Sequence, residues 1–137
     1  MRYLILRLPV ICNLFAVSLG TGPALAQECD RQTQRDMNSC ADAHFGTANL
    51  DLTTAYGALA NRLKQKPATL ALLTKTQKAW TAWREAECRF TNAGYVEGTI
   101  YPMVYALCLE RLTQRRIEQV RGYLDCKEDL DCPVPAQ

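Results

Sequence analysis

Seven cysteines stand in a chain of 137 residues that holds a single histidine. What they permit depends on the compartment, since reduced thiols serve metals or catalysis whereas in an oxidising space they pair and staple a small fold. The N-terminus points to the second case. Arg2 and Arg7 give a positive start, Val10 to Leu19 an apolar centre, and Ala24-Leu25-Ala26 a small-residue cleavage site. Residues 1–26 therefore read as a signal peptide, with the mature chain beginning at Gln27. A membrane anchor fits less well, because Asn13 interrupts the apolar centre, Gly20, Gly22 and Pro23 follow it, and a span needs about 20 apolar residues. Glu28 stands just before Cys29, where a lipoprotein signal wants a small residue. The expected location is periplasmic or secreted, with no membrane anchor in the mature form.

Cleavage near Ala26 removes Cys12 and two arginines, leaving six cysteines and 14 basic against 14 acidic residues. An even cysteine count in a small exported chain reads as a disulfide framework. Formal neutrality argues against a general nucleic-acid binder, which needs a basic face to displace counterions. It removes the electrostatic motive for membrane-surface binding as well. The mature chain, 27–137, has the size of one domain.

Punctuation falls at Pro67, at Gly94 to Pro102 and in the tail from Asp125, so three long segments remain with helical character. Thr33, with Asp36 three residues on, can cap a first helix running to about Lys66. Phe45, Leu52, Tyr56, Leu59 and Leu63 share one face of it, and Gly46 and Asn49 are expected to bend or loosen it. Pro67 suits the first turn of a second helix, whose stripe is Leu70, Leu73, Gln77, Trp80, Arg84 and Glu87. Ala79, Trp83, Ala86 and Phe90 flank that stripe, which predicts a helix sandwiched between the others. A third helix, from Pro102 to about Leu124, carries Leu109, Leu112, Arg116, Val120 and Leu124. Strand alternation is nowhere sustained. The fold class expected is all-α, three to four antiparallel helices stapled by disulfides.

Catalytic constellations are hard to assemble from these residues. The mature chain's one serine, Ser39, and its histidine, His44, lie five apart in a helix and do not share a face. Zinc would want paired Cys-x-x-Cys spacings, which are missing, so no metal or cofactor is expected and His44 reads as an ordinary helix residue. A glycan-cleaving enzyme would need a suitably spaced pair of carboxylates. Glu85 and Glu87 point to different faces, and Glu87 near Arg84 and Arg116 reads more economically as part of a buried acid and arginine network. Trp80 and Trp83 join apolar residues at helical spacing and are expected to fill the core rather than form an exposed binding platform.

The string Gln77-Lys78-Ala79-Trp80-Thr81-Ala82-Trp83-Arg84-Glu85-Ala86-Glu87-Cys88 is followed in order by Gly98-Thr99-Ile100-Tyr101-Pro102-Met103 and by Cys108-Leu109-Glu110-Arg111-Leu112-Thr113-Gln114-Arg115-Arg116. Together with Met37-Asn38-Ser39-Cys40 and Tyr56, these motifs resemble the LprI-like lysozyme-inhibitor family over about Cys29 to Leu124. Asn49 and Thr53 stand where that family usually has Asp and Asn, and Glu97 replaces the first glycine of its Gly-Gly-Ser turn.

The resemblance implies a small exported helical domain that binds rather than catalyses, with lysozyme inhibition assigned to one branch. An inhibitor of a glycan-cleaving enzyme must plug a cleft with a loop whose ordering cost was met during folding. The Asn92 to Tyr101 connection, with Asn92, Tyr95, Glu97, Thr99 and Tyr101, is the candidate partner-binding loop. The partner expected is lysozyme or, in the alternative, another envelope protein engaged by a structural or interaction module. Chain proximity and the resemblance together imply the bridges Cys29–Cys40, Cys88–Cys108 and Cys126–Cys132, the last in a short tail whose acids Asp125, Glu128, Asp129 and Asp131 read as solvated.

Overall fold

The computed structural model describes residues 33–126 and Cys132. The export signal, the Gln27 start, Cys29 and the tail acids Glu128, Asp129 and Asp131 lie outside the described residues. Among the described residues the helices are α1 (Gln34–Arg62), α2 (Pro67–Thr91) and α3 (Tyr101–Asp125), with a 3-10 turn at Ala93–Tyr95 before α3. Each boundary has a local cause. The Thr33 hydroxyl accepts the Asp36 amide at 3.2 Å and donates to the Asp36 carboxylate at 2.7 Å, closing the expected cap. α1 stops at Arg62, short of Lys66, because the residue before a proline is driven out of helical geometry and Lys66 has φ −124° and ψ 69°. Gly46 and Asn49 do not interrupt α1, which is continuous.

Consecutive helices run antiparallel, so α1 and α3 lie parallel. At their starts Asn38 Nδ2 donates to the Thr99 carbonyl at 3.0 Å. At their ends the Arg62 guanidinium donates to the carbonyls of Tyr123, Leu124 and Cys126 at 2.9–3.2 Å. The parallel pair is also the closest-packed. Its cause is small residues: α1 buries Ala41, Ala48 and Ala55 beside Leu52 and Leu59, and α3 buries Ala106. The apolar face of α1 is thus set by alanines as much as by Phe45 and Tyr56, which are only half-buried.

α2 sits at the edge of this pair and is not sandwiched. It buries only Leu73, Arg84 and Cys88. Ala79, Trp83, Ala86 and Phe90, expected to widen its buried face, are all exposed, Phe90 to 77%. The physical reason is that the facing positions on α2 are large: Gln77, Trp80 and Arg84 act as spacers that a second covering layer would have to accommodate, and this chain has no fourth helix among the described residues to supply one.

The core falls into two apolar clusters. One gathers Leu52, Leu59, Leu63, Leu73, Ile117 and Val120, the other Cys88, Cys108, Leu109 and Leu112. Between them along the helices lies a polar layer of Asn49, Gln77, Arg84, Thr113 and Arg116.

Candidate functional site

That layer is where the structure departs furthest from expectation. Arg84 and Arg116 are each only 5% exposed, yet neither forms an ion pair among the described residues, whereas Glu85 and Arg89 pair at 3.5 Å on the surface. Glu87, expected to join the network, is half-buried and makes no such pair. Neutral groups replace it. Arg84 Nη1 donates to Thr113 Oγ1 at 2.9 Å and to Asn49 Oδ1 at 3.4 Å. Arg116 donates from Nε to Gln77 Oε1 at 3.1 Å and from Nη1 to Gln119 Oε1.

Aromatic faces supply the remainder. Trp80 is flanked by both cations, with Arg84 5.0 Å and Arg116 5.7 Å from the ring, and Phe45 takes Arg84 at 5.1 Å. Trp80 therefore fills the interior as expected, and Trp83, 50% exposed, does not. Burial pushes the Arg84 guanidinium below the ordinary arginine value, offset in part by Glu85 and Tyr105. Burial does the same to Arg116, offset by Tyr123. Both remain cations, since arginine holds its proton throughout the range where proteins fold.

A cleft of 180 Å³ opens over Arg84 between α1 and α2, lined by Asn49, Thr53, Tyr56, Gln77, Thr81 and Arg84 above a Leu52 floor. Its hydroxyls are occupied: Thr53 and Thr81 donate back to the carbonyls of Asn49 and Gln77, and Tyr56 meets Thr74 at 3.2 Å. Sequence reasoning placed Arg84, Gln77 and Arg116 on stripes but missed Asn49 and Thr113 as their partners. Only the mutual position of three helices brings those five together.

A second feature lies at the loop end. Cys88 and Cys108 are bridged, with Cα atoms 5.7 Å apart, tying the end of α2 to α3 as expected. Cys126 and Cys132 are bridged as well. Cys40 is disulfide-bonded; the Cys29 end of the expected bridge lies outside the described residues. Above the Cys88–Cys108 bridge the connection folds as successive tight turns, Tyr95 N to Asn92 O, Gly98 N to Tyr95 O and Tyr101 N to Gly98 O, all at 2.8–3.0 Å. A Cβ at Gly98 would stand 3.3 Å from the Tyr95 carbonyl oxygen, a tight contact that the turn would have to relax to accept.

Of the loop residues, Asn92 is buried and donates to the Cys88 carbonyl at 2.8 Å, so it anchors rather than presents. Tyr101 begins α3 and stacks on Tyr105 at 5.7 Å. Tyr95, Glu97 and Thr99 are exposed. An open groove of 500 Å³ runs beside them, lined by Asn92, Tyr95, Val104, Leu107 and Arg111. Phe90, Tyr95, Val96 and Leu107 together put apolar surface around this end of the molecule.

His44 is half-buried and Ser39 exposed, both on α1. Among the described residues no group of three or more His, Cys, Asp or Glu side chains could hold a metal ion. No described helix is long and apolar enough to cross a membrane.

Helices and bridges define a small all-α, disulfide-stapled fold among the described residues, with Arg84 Nε and Arg116 Nη2 left buried and without a hydrogen-bond partner. The chain belongs to the family described as lysozyme inhibitor LprI, whose pattern matches residues 26–120. That family takes its description from inhibiting an enzyme and not from a reaction of its own. A protein of Rhizobium meliloti (strain 1021), named uncharacterized protein R02472, is 26% identical over 125 residues, covering 80% of this chain and 90% of the relative. No solved structure matches the chain.

Proposed function

We propose that this chain is an exported, non-enzymatic inhibitor of lysozyme, matured after Ala26, that occludes the lysozyme cleft with its 92–101 connection. The observation that carries the reading is the exposed rim of Tyr95, Val96, Glu97 and Leu107 beside a groove of 500 Å³. This rim is held by backbone turns and by the Cys88–Cys108 bridge. A connection already ordered loses little freedom on docking, so more of its contact energy appears as affinity. The test is lysozyme activity in the presence of the oxidised mature protein. Inhibition at micromolar concentration that Tyr95→Ala weakens at least tenfold supports it; no inhibition of any lysozyme class removes it.

The exposed α2 face favours a second reading, an interaction module of the cell envelope. Leu72, Trp83 and Phe90 are 65%, 50% and 77% exposed and recur at helical spacing along that face. Capture of a stable endogenous partner by wild type and not by Trp83→Ala, with lysozyme unaffected, would select this reading over the first.

A further inference from the structure

We propose that the cleft between α1 and α2 is a binding site for a small carboxylate, received by Arg84 together with the side-chain amides of Asn49 and Gln77. The inference begins with charge. Two buried guanidiniums flank Trp80 with no carboxylate among their hydrogen-bond partners. Glu85, the acid that acts on Arg84 through space, is engaged with Arg89. A buried cation without a counter-charge is costly, and an anion reaching it gains from the same low dielectric.

Hydrogen-bond accounting gives the same sign. Asn49 spends its carbonyl oxygen on Arg84 and Gln77 spends its own on Arg116. Each amide therefore keeps an NH₂ group that meets no acceptor among the described residues, and both residues line the cleft. Arg84 Nε is buried with no hydrogen-bond partner. The cleft thus offers the positive charge of Arg84 and the amide donors of exposed Asn49 and half-buried Gln77, while its hydroxyl protons are already given to backbone carbonyls and to Thr74. Such a donor-rich, positively charged recess matches an oxyanion and disfavours a cation or a neutral acceptor-poor ligand. A water takes about 30 Å³, so 180 Å³ holds about six waters, or a carboxylate with its first substituent and residual water.

The experiment uses the full mature chain with its bridges intact. Acetate is titrated at constant ionic strength while ¹H–¹⁵N spectra follow the Arg84 Nε–H and the Asn49 and Gln77 NH₂ signals, with acetamide as the neutral isostere. Expected is one saturable curve shared by all three groups, with Kd on the order of millimolar for so few contacts, and acetamide at least tenfold weaker. Asn49→Asp places a carboxylate of the same size 3.4 Å from Arg84 Nη1. It should raise Tm in acetate-free buffer and abolish acetate binding, and because it preserves the Arg84 packing it keeps the site testable where Arg84→Ala could simply unfold the layer. N-acetylalanine separates the two sources of the ligand: at least tenfold tighter binding than acetate assigns a peptide terminus, equal binding a free small acid, and both support the site. Linear unsaturated shifts, an equal response to acetamide, or undiminished acetate binding by Asn49→Asp would overturn it. No lysozyme enters the experiment, so its failure is distinct from failure of the inhibitor reading.

Discussion

Thr113 shows how much can depend on one hydroxyl. It is fully buried, accepts from Arg84 and donates to the Leu109 carbonyl at 2.7 Å. Thr113→Val keeps the volume and leaves Arg84 Nη1 only its longer contact to Asn49, which should cost about 1.5–3 kcal/mol, read from the midpoint of urea unfolding at unchanged slope. The two tryptophans, both expected from sequence to fill the core, should separate in the same assay. Trp80→Ala loses a ring that holds both cations and is expected to cost about 3–5 kcal/mol, while Trp83→Ala should stay within about 0.5 kcal/mol. Lowered arginine pKa values mean that the folded state resists these charges. A base with a depressed folded pKa lets stability rise only as pH climbs through that value toward the unfolded one, which for arginine lies far above neutrality. These two residues should therefore express themselves through anion dependence rather than through a titration near neutral pH.

At the scale of the element, the alanine face of α1 is what lets a parallel pair of helices approach so closely. Ala48 is fully buried against that interface, and Ala48→Leu should cost about 1–3 kcal/mol by overpacking, measured by chemical denaturation. The end of α3 is closed by a cation from another helix. Arg62 meets the carbonyls of Tyr123, Leu124 and Cys126, groups that a helix terminus leaves without partners. Arg62→Gln should cost about 1–2 kcal/mol and should speed amide exchange in the last turn of α3 while leaving the α2–α3 connection unchanged. The Thr33 cap and the start of α2 at Pro67 were legible from sequence because they depend on neighbours within one turn, whereas the end of α1 at Arg62, four residues before Lys66, was not. Nor was the contact of Arg62 with α3, because its acceptors lie more than 60 residues away.

Across the whole molecule, the bridge between α2 and α3 holds an edge helix that buries only three residues. Replacing Cys88 and Cys108 together by serine should lower stability by about 2–4 kcal/mol and release the 92–101 connection, so inhibition should fall with it if that connection makes the contact. The Cys126–Cys132 bridge closes a separation of 6 residues against 20, and its removal should move the unfolding midpoint less. Two clusters divided by a charged layer also set how the molecule opens: protection from amide exchange should be strongest where α1 and α3 touch and weakest along α2.

From residue order came the three helices, their boundaries to within a few positions and the resemblance to the family, and chain proximity together with that resemblance implied the Cys88–Cys108 and Cys126–Cys132 pairings. Periodicity, capping and motif order are properties of short stretches, and they survive whatever surrounds them. Tertiary structure alone decided that Trp83 and Phe90 face outward, that α1 and α3 run side by side, and that Arg84 lacks an acid. Those outcomes depend on which helix packs opposite which stripe. Small alanines drew α1 and α3 together, large side chains held α2 at the margin, and the position of each buried charge followed from that contest of sizes.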